Sequence, residues 1–228
     1  MVQIKFHGHA CFELVSDKYR LLIDPWFKDN PLAVVGPDQV AADYILVSHG
    51  HYDHFGDAVP IAKRTGATII GVAELATYCS RQGAKAHGMH IGGSHAFPFG
   101  KVQLTPAWHG SSLLDKDNLY LGNPCGFVIE LEGKYIYHAG DTGLFGDMGL
   151  IGSKYALDVA LLPIGDNYVM GPEDALQAVK YLQPKTVVPM HYNTFDLIRQ
   201  DAGAFKKEVE SNTASRCLIL EPGQSIEI

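Results

Sequence analysis

Six consecutive residues, His49-Gly50-His51-Tyr52-Asp53-His54, bring three imidazoles and one carboxylate together in a chain of 228 residues. Imidazole nitrogen and carboxylate oxygen are borderline-to-hard donors that suit Zn, Mn, Fe or Ni. A run this dense at the end of a strand can turn His49 and His51 to one side and Asp53 and His54 to the other, so one segment could serve two metal ions. An isolated His is ordinarily a solvated surface group. At this His content a chance match to all four positions is on the order of one in several hundred. His109, Asp141 and His191 each follow directly on a strand-like run, where open α/β architectures gather site residues. Taken singly, each of these three is as readily a turn residue as a ligand.

The positioning elements are legible in outline. Short β-like runs at Val2–Phe6, Cys11–Val15 and Tyr19–Ile23, the last ended by Asp24-Pro25, predict a meander. Tyr44-Ile45-Leu46-Val47 is wholly apolar, the pattern of a strand buried on both faces, and it delivers the His-rich run. A helix over Ala58–Thr65, a strand over Ala67–Gly71 and a helix over Glu74–Gln82 follow. From Ala86 to His109 the pattern returns to β. A polar loop spans Gly110 to Pro124, then Gly126–Leu131 and Lys134–His138 flank Glu132-Gly133 as a hairpin. The remainder alternates strand Asp158–Leu162, helix Pro172–Leu182, strand Thr186–Pro189, helix Leu197–Val209 and strand Cys217–Leu220. Each half thus has the same outline, which packs as two sheets with helices outside. No repeat, low-complexity stretch or linker interrupts it, so residues 1–228 are expected to form a single domain.

Composition narrows the function. A net charge of −7 without a basic cluster disfavours a nucleic-acid polymer as partner. The N-terminal residues lack a signal-peptide layout and no apolar run reaches membrane-spanning length, so no membrane partner and a cytoplasmic location are expected. Cys11, Cys79, Cys125 and Cys217 stand singly, which suits reduced thiols and argues against a zinc-thiolate site or a disulfide frame.

Taken together, the order His-x-His-x-Asp-His, then His109, Asp141 and His191, resembles the motif of the metallo-β-lactamase superfamily over nearly the whole chain. Phe6-His7-Gly8-His9-Ala10, Tyr137-His138-Ala139-Gly140-Asp141-Thr142 and Val188-Pro189-Met190-His191-Tyr192-Asn193-Thr194 are similar, more narrowly, to the metal-dependent hydrolases related to ascorbate-phosphate lactonase. The resemblance implies an α/β fold, a four-layer αββα sandwich with the site along one edge of the sheets. It assigns His49, His51 and His109 to one metal, Asp53, His54 and His191 to a second, and Asp141 to both. Two divalent ions, zinc first and manganese second, would activate a water for attack on a small ester, lactone or phosphodiester. Asp53 is expected to orient that water as well as to bind metal.

His9 is expected to line the pocket or donate to substrate, and Asp24 to accept a hydrogen bond from a ligand imidazole. Gly165–Gly171, Asn193 and Thr194 are candidate pocket walls. His7, His87, His90, His95 and His138 fall outside the motif and read as solvated or supporting groups. A carboxylate at Asp141, where zinc β-lactamases carry Cys, points away from antibiotic hydrolysis. Competing readings are an oxygenase holding one iron and a non-catalytic metal-binding module. Relatives commonly associate, so a homo-oligomer is expected.

Overall fold

The first runs fold as an antiparallel meander of β1 (Gln3–Gly8), β2 (Cys11–Val15) and β3 (Arg20–Ile23). The computed structural model describes residues 1–113 and 118–228. A parallel part continues the sheet: β4 (Tyr44–Leu46), the one-turn helix α1 (Tyr52–Phe55), α2 (Ala58–Thr65), β5 (Thr68–Val72), α3 (Ala73–Arg81) and β6 (Lys85–Met89).

The second half repeats the plan. Its antiparallel part is β7 (Ser94–Phe97), β8 (Gly100–Pro106), a small ribbon of β9 (Ser112–Leu113) and β10 (Leu119–Tyr120), then β11 (Cys125–Leu131) and β12 (Lys134–His138). Its parallel part holds α4 (Met148–Lys154), β13 (Val159–Pro163), α5 (Pro172–Leu182), β14 (Thr186–Met190), α6 (Ala202–Asn212) and β15 (Arg216–Cys217). β16 (Ser225–Glu227) returns to pair with β1. Among the described residues the strands form two seven-stranded sheets, ordered β16-β1-β2-β3-β4-β5-β6 and β7-β8-β11-β12-β13-β14-β15.

The period-two geometry of a strand explains the layering. Along β13, Val159 and Leu161 join the core between the sheets, while Ala160 and Leu162 pack beneath α5 and α6 with Ala178, Val179 and Phe205. In the first half Ile61, Leu75 and Cys79 of α2 and α3 join the large core cluster beside Ile45 and Ile69. The result is the four-layer αββα sandwich of the metallo-β-lactamase fold. Each fully buried large apolar side chain contributes about 1.5–3 kcal/mol, and the strands whose ends carry the candidate ligands contribute to these buried clusters.

Several expectations need correction. The helix predicted over Leu197–Val209 is a 3₁₀ turn at Asp196–Ile198 followed by α6, because the Asp201 carboxylate caps the Ala204 N–H at 2.9 Å and starts a new helix there. The predicted strand Cys217–Leu220 is only Arg216–Cys217, since Leu218 N is the last amide to bond β14, and α4 and β16 were not foreseen. The middle of the predicted polar loop Gly110–Pro124, residues 114–117, lies outside the described residues.

Candidate metal centre

Every candidate ligand stands just beyond a strand end. After β4, the Val47 N–H still bonds Ile70, and the Ser48 N–H donates to Asp24 Oδ1 at 2.8 Å, so His49 leaves the sheet in a fixed direction. The carbonyl of His51 accepts from the N–H groups of His54 and Phe55, which starts α1 and sets Asp53 and His54 on its single turn. His109 follows β8. Its neighbour Trp108 donates its N–H to Thr142 Oγ1 at 2.9 Å, which ties this loop to the one bearing Asp141. Gly140 has φ +63°, and a Cβ there would lie 2.6 Å from the Cys125 carbonyl, so only glycine lets the chain turn Asp141 inward. His191, directly after β14, has φ +54° and donates its N–H to the His9 carbonyl at 2.8 Å, a constrained backbone held by its partner.

These loops converge on Asp141. Its Oδ2 lies 3.0 Å from His191 Nε2, 3.5 Å from His109 Nε2 and 3.9 Å from His49 Nε2, and its Oδ1 lies 3.2 Å from His54 Nε2. His49 Nε2 and His109 Nε2 approach His51 Nδ1 at 3.0 and 3.2 Å. Three sets of donor atoms each lie within 4.8 Å of one another: His49, His51 and His109; His9, Asp53, His54 and His191; and His49, His54 and Asp141. Buried His54 Nε2, His191 Nε2 and Asp141 Oδ1 have no hydrogen-bond partner despite this crowding. Close donor atoms that do not satisfy one another are what a shared cation would satisfy. The donor set therefore fits divalent metal.

The electrostatics agree. Burial, reinforced by neighbouring histidines, holds the pKa of His49, His51 and His109 below the ordinary value, so each offers a neutral lone pair. Burial also opposes charge on Asp141, but His191 and His54 outweigh it and keep the carboxyl ionised. At His54 burial is again overcome, here by Asp141 and Asp24, and the site demands positive charge, as a proton or a metal ion.

Asp24 accepts the imidazole hydrogen bond expected of it, from the candidate ligand His54. It is fully buried, and its Oδ2 accepts from His54 Nδ1 at 2.7 Å and from Ser48 Oγ at 2.7 Å. Ser48 Oγ in turn lies 2.9 Å from His49 Nδ1. The tautomers that satisfy these bonds aim Nε2 of both histidines at the centre. His9 is placed deeper than expected. It is fully buried with φ +60°, its Nε2 lies 3.2 Å from Asp53 Oδ2, and its Nδ1 lies 2.8 Å from Thr194 Oγ1. Burial, with the neighbouring His191, pushes its pKa down to about 3, so it stays neutral and donates to Asp53 while accepting from Thr194.

The centre opens into a cavity of about 420 Å³ lined by Tyr52, Tyr168 and Phe195 beside the ligands. Of the predicted walls, Tyr168 fulfils the expectation for Gly165–Gly171. Asn193 is exposed instead and accepts from the Gln200 N–H, closing its own loop. Tyr52, Phe195 and the Trp26 that supports them went unforeseen; aromatic residues flanking the motif were the available signal. His7 and His138 are not solvated. His7 bonds Glu13 at 3.2 Å, and His138 bridges the Ala10 carbonyl and the Gly140 N–H. His87 and His95 pack against each other with their rings tilted by 39°, away from the site, and His90 is exposed. All four cysteines are buried and free. Among the described residues no helix is long and apolar enough to cross a membrane.

Comparison with known proteins places this geometry in a family. Residues 19–192 match the model of the β-lactamase superfamily domain. A UPF0173 metal-dependent hydrolase of Pelotomaculum thermopropionicum is 57% identical over 229 residues, covering 100% of both chains. One from Heliobacterium modesticaldum is 56% identical, covering 100% of this chain and 98% of the other. Igni18, a metallo hydrolase of the hyperthermophilic archaeon Ignicoccus hospitalis, superposes with a TM-score of 0.91 at 40% identity, covering 99% of this chain and 97% of that one. The chain belongs to the metallo-β-lactamase superfamily, within its UPF0173 group of metal-dependent hydrolases.

Proposed function

We propose that the chain is a binuclear metal-dependent hydrolase acting on a small ester, lactone or phosphodiester. The observation that carries this reading is the position of Asp141, whose two oxygens face His54, His191, His109 and His49 from the middle of the donor sets. His49, His51 and His109 would hold one ion, Asp53, His54 and His191 the other, and Asp141 both. Bound there, divalent cations supply a nucleophilic hydroxide at neutral pH and positive charge for a developing oxyanion.

The chain's own residues do the rest. Asp53 lines the cavity and is held by His9, so its carboxylate can orient the attacking water and take up its proton. His9, fixed by Thr194, keeps Asp53 from swinging away. Asp24 fixes the tautomer of His54. Zinc is the first choice of metal, and manganese suits the same atoms. The accompanying expectations are one domain, a cytoplasmic location, a small-molecule substrate without nucleic-acid or membrane partners, and a homo-oligomer. Donors sufficient for two ions favour this reading over a one-iron oxygenase or a non-catalytic module.

The test is to strip the protein of metal, restore zinc or manganese separately, and assay bis-p-nitrophenyl phosphate and γ-butyrolactone beside metal analysis. Two ions per chain and restored turnover are expected. Asp141→Ala should lose both ions and at least about a thousandfold in kcat/KM. One iron per chain with oxygen consumption would sink the hydrolase reading.

A further inference from the structure

We infer that the cavity takes a substrate whose non-reacting part is an uncharged, flat apolar group, as in an aryl ester, and disfavours substrates carrying a phosphate or carboxylate away from the bond that is cut. The inference rests on the hydrolase reading above and names its substrate class.

Ligand side chains form the floor of the cavity, with the carboxylates of Asp53 and Asp141 among them. What remains to grip the substrate is its wall, and the wall is aromatic. Tyr52 and Tyr168 are each about half exposed, and Phe195, less exposed, lines the same cavity. Trp26, only 4% exposed, backs this surface, with ring centroids 5.7 Å from Tyr52 and 5.9 Å from Phe195. His9 packs edge-on against both Trp26 and Phe195, at 5.2 and 5.6 Å. The wall is thus a packed array rather than a set of loose side chains, and it keeps its shape for a flat ligand.

Charge points the same way. No Lys or Arg occurs among the described residues that line the cavity. Arg199, the basic residue nearest in sequence to Phe195, turns to Asp196 at 2.7 Å. A remote phosphate or carboxylate entering this wall would lose water and gain no counter-charge, while an apolar ring would gain contact with three others. A volume of about 420 Å³ suits a small substrate of this kind. In the reaction, water oxygen bonds to the carbonyl carbon, the ester C–O bond breaks, and the proton released from water ends on the leaving oxygen.

The discriminating experiment compares two esters that share the reacting carbonyl and differ by one remote charge. With zinc-loaded protein, kcat/KM for p-tolyl acetate should exceed that for 4-carboxyphenyl acetate by about a hundredfold. Phe195→Ala, with metal content unchanged, should lower the p-tolyl acetate value about tenfold through KM and shrink the ratio. Binding of the matching amides, N-p-tolylacetamide and 4-acetamidobenzoate, is followed by saturation-transfer NMR independently of turnover. Preferential binding of the uncharged amide with no hydrolysis of the esters, γ-butyrolactone or bis-p-nitrophenyl phosphate would uphold the apolar ligand class and defeat the hydrolase reading. Equal or better use of the charged partner in both assays would overturn the substrate class and leave the hydrolase reading standing.

Discussion

The two halves of the molecule share one plan and supply the metal centre differently. Each sheet runs from an antiparallel edge to a parallel one, so β1 corresponds to β8, β3 to β12, β4 to β13 and β5 to β14. The residues beyond these ends correspond too: His9 with His109, and Asp24 with Asp141. In the first half a single strand end, that of β4, carries the whole His49–His54 run, and His9 and Asp24 fall back to support it. In the second half three strand ends carry one candidate ligand each. Corresponding strand ends thus carry a candidate ligand in one half and a bracing residue in the other, His9 meeting Asp53 and Asp24 meeting His54.

The largest expected effect tests the His9 and His109 pair. His109→Ala should empty its ion and lower kcat/KM by about a thousandfold, whereas His9→Gln should keep metal content and cost about ten- to a hundredfold, mostly in kcat. Metal analysis with steady-state kinetics on both variants checks this. If His9→Gln also loses an ion, His9 is a ligand and the halves are symmetric after all.

A smaller effect sharpens the Asp24 and Asp141 pair. Asp24→Ala leaves donors on Ser48 and His54 stranded in a fully buried position. Metal affinity should weaken about 10–100-fold by chelator competition, with about 1–3 kcal/mol of stability lost per stranded donor. Both ions should still bind at saturating metal, unlike in Asp141→Ala.

The smallest effect compares acidic anchors away from the site. Glu13 of β2 meets His7 at 3.2 Å and Arg20 at 3.0 Å, and Asp158 before β13 meets Lys185 at 2.8 Å. Burial opposes charge on both, but these partners prevail and lower both pKa values. A lowered carboxylate stabilises fully above its unfolded pKa and loses that contribution as pH falls through the folded value. Glu13→Gln should therefore lower stability by up to about 1 kcal/mol at neutral pH, with the gap to wild type closing in acid. Asp158→Asn should show less, because Lys185 is 71% exposed. Urea titrations from pH 7 to pH 3 measure both; a gap that widens in acid would reverse the assignment.

Beyond the resemblance that singled out His109, Asp141 and His191, the sequence by itself determined the His49–His54 run and the alternation that gives two sheets with outer helices. These are written locally, in donor spacing and in hydrophobic period. Tertiary structure alone decided that His109, Asp141 and His191 meet, that His9 reaches Asp53 across 44 positions of chain, and that Trp26 and Phe195 share a wall. The left-handed backbone at His9, Asp24 and His191 was equally hidden, since non-glycine residues adopt it only where surrounding packing compensates the strain. The late helix was misplaced for a local reason that could be read, the Asp201 cap. The aromatic wall could not be read in advance, because an apolar residue on a loop has the same spacing whether it faces a core, a pocket or solvent.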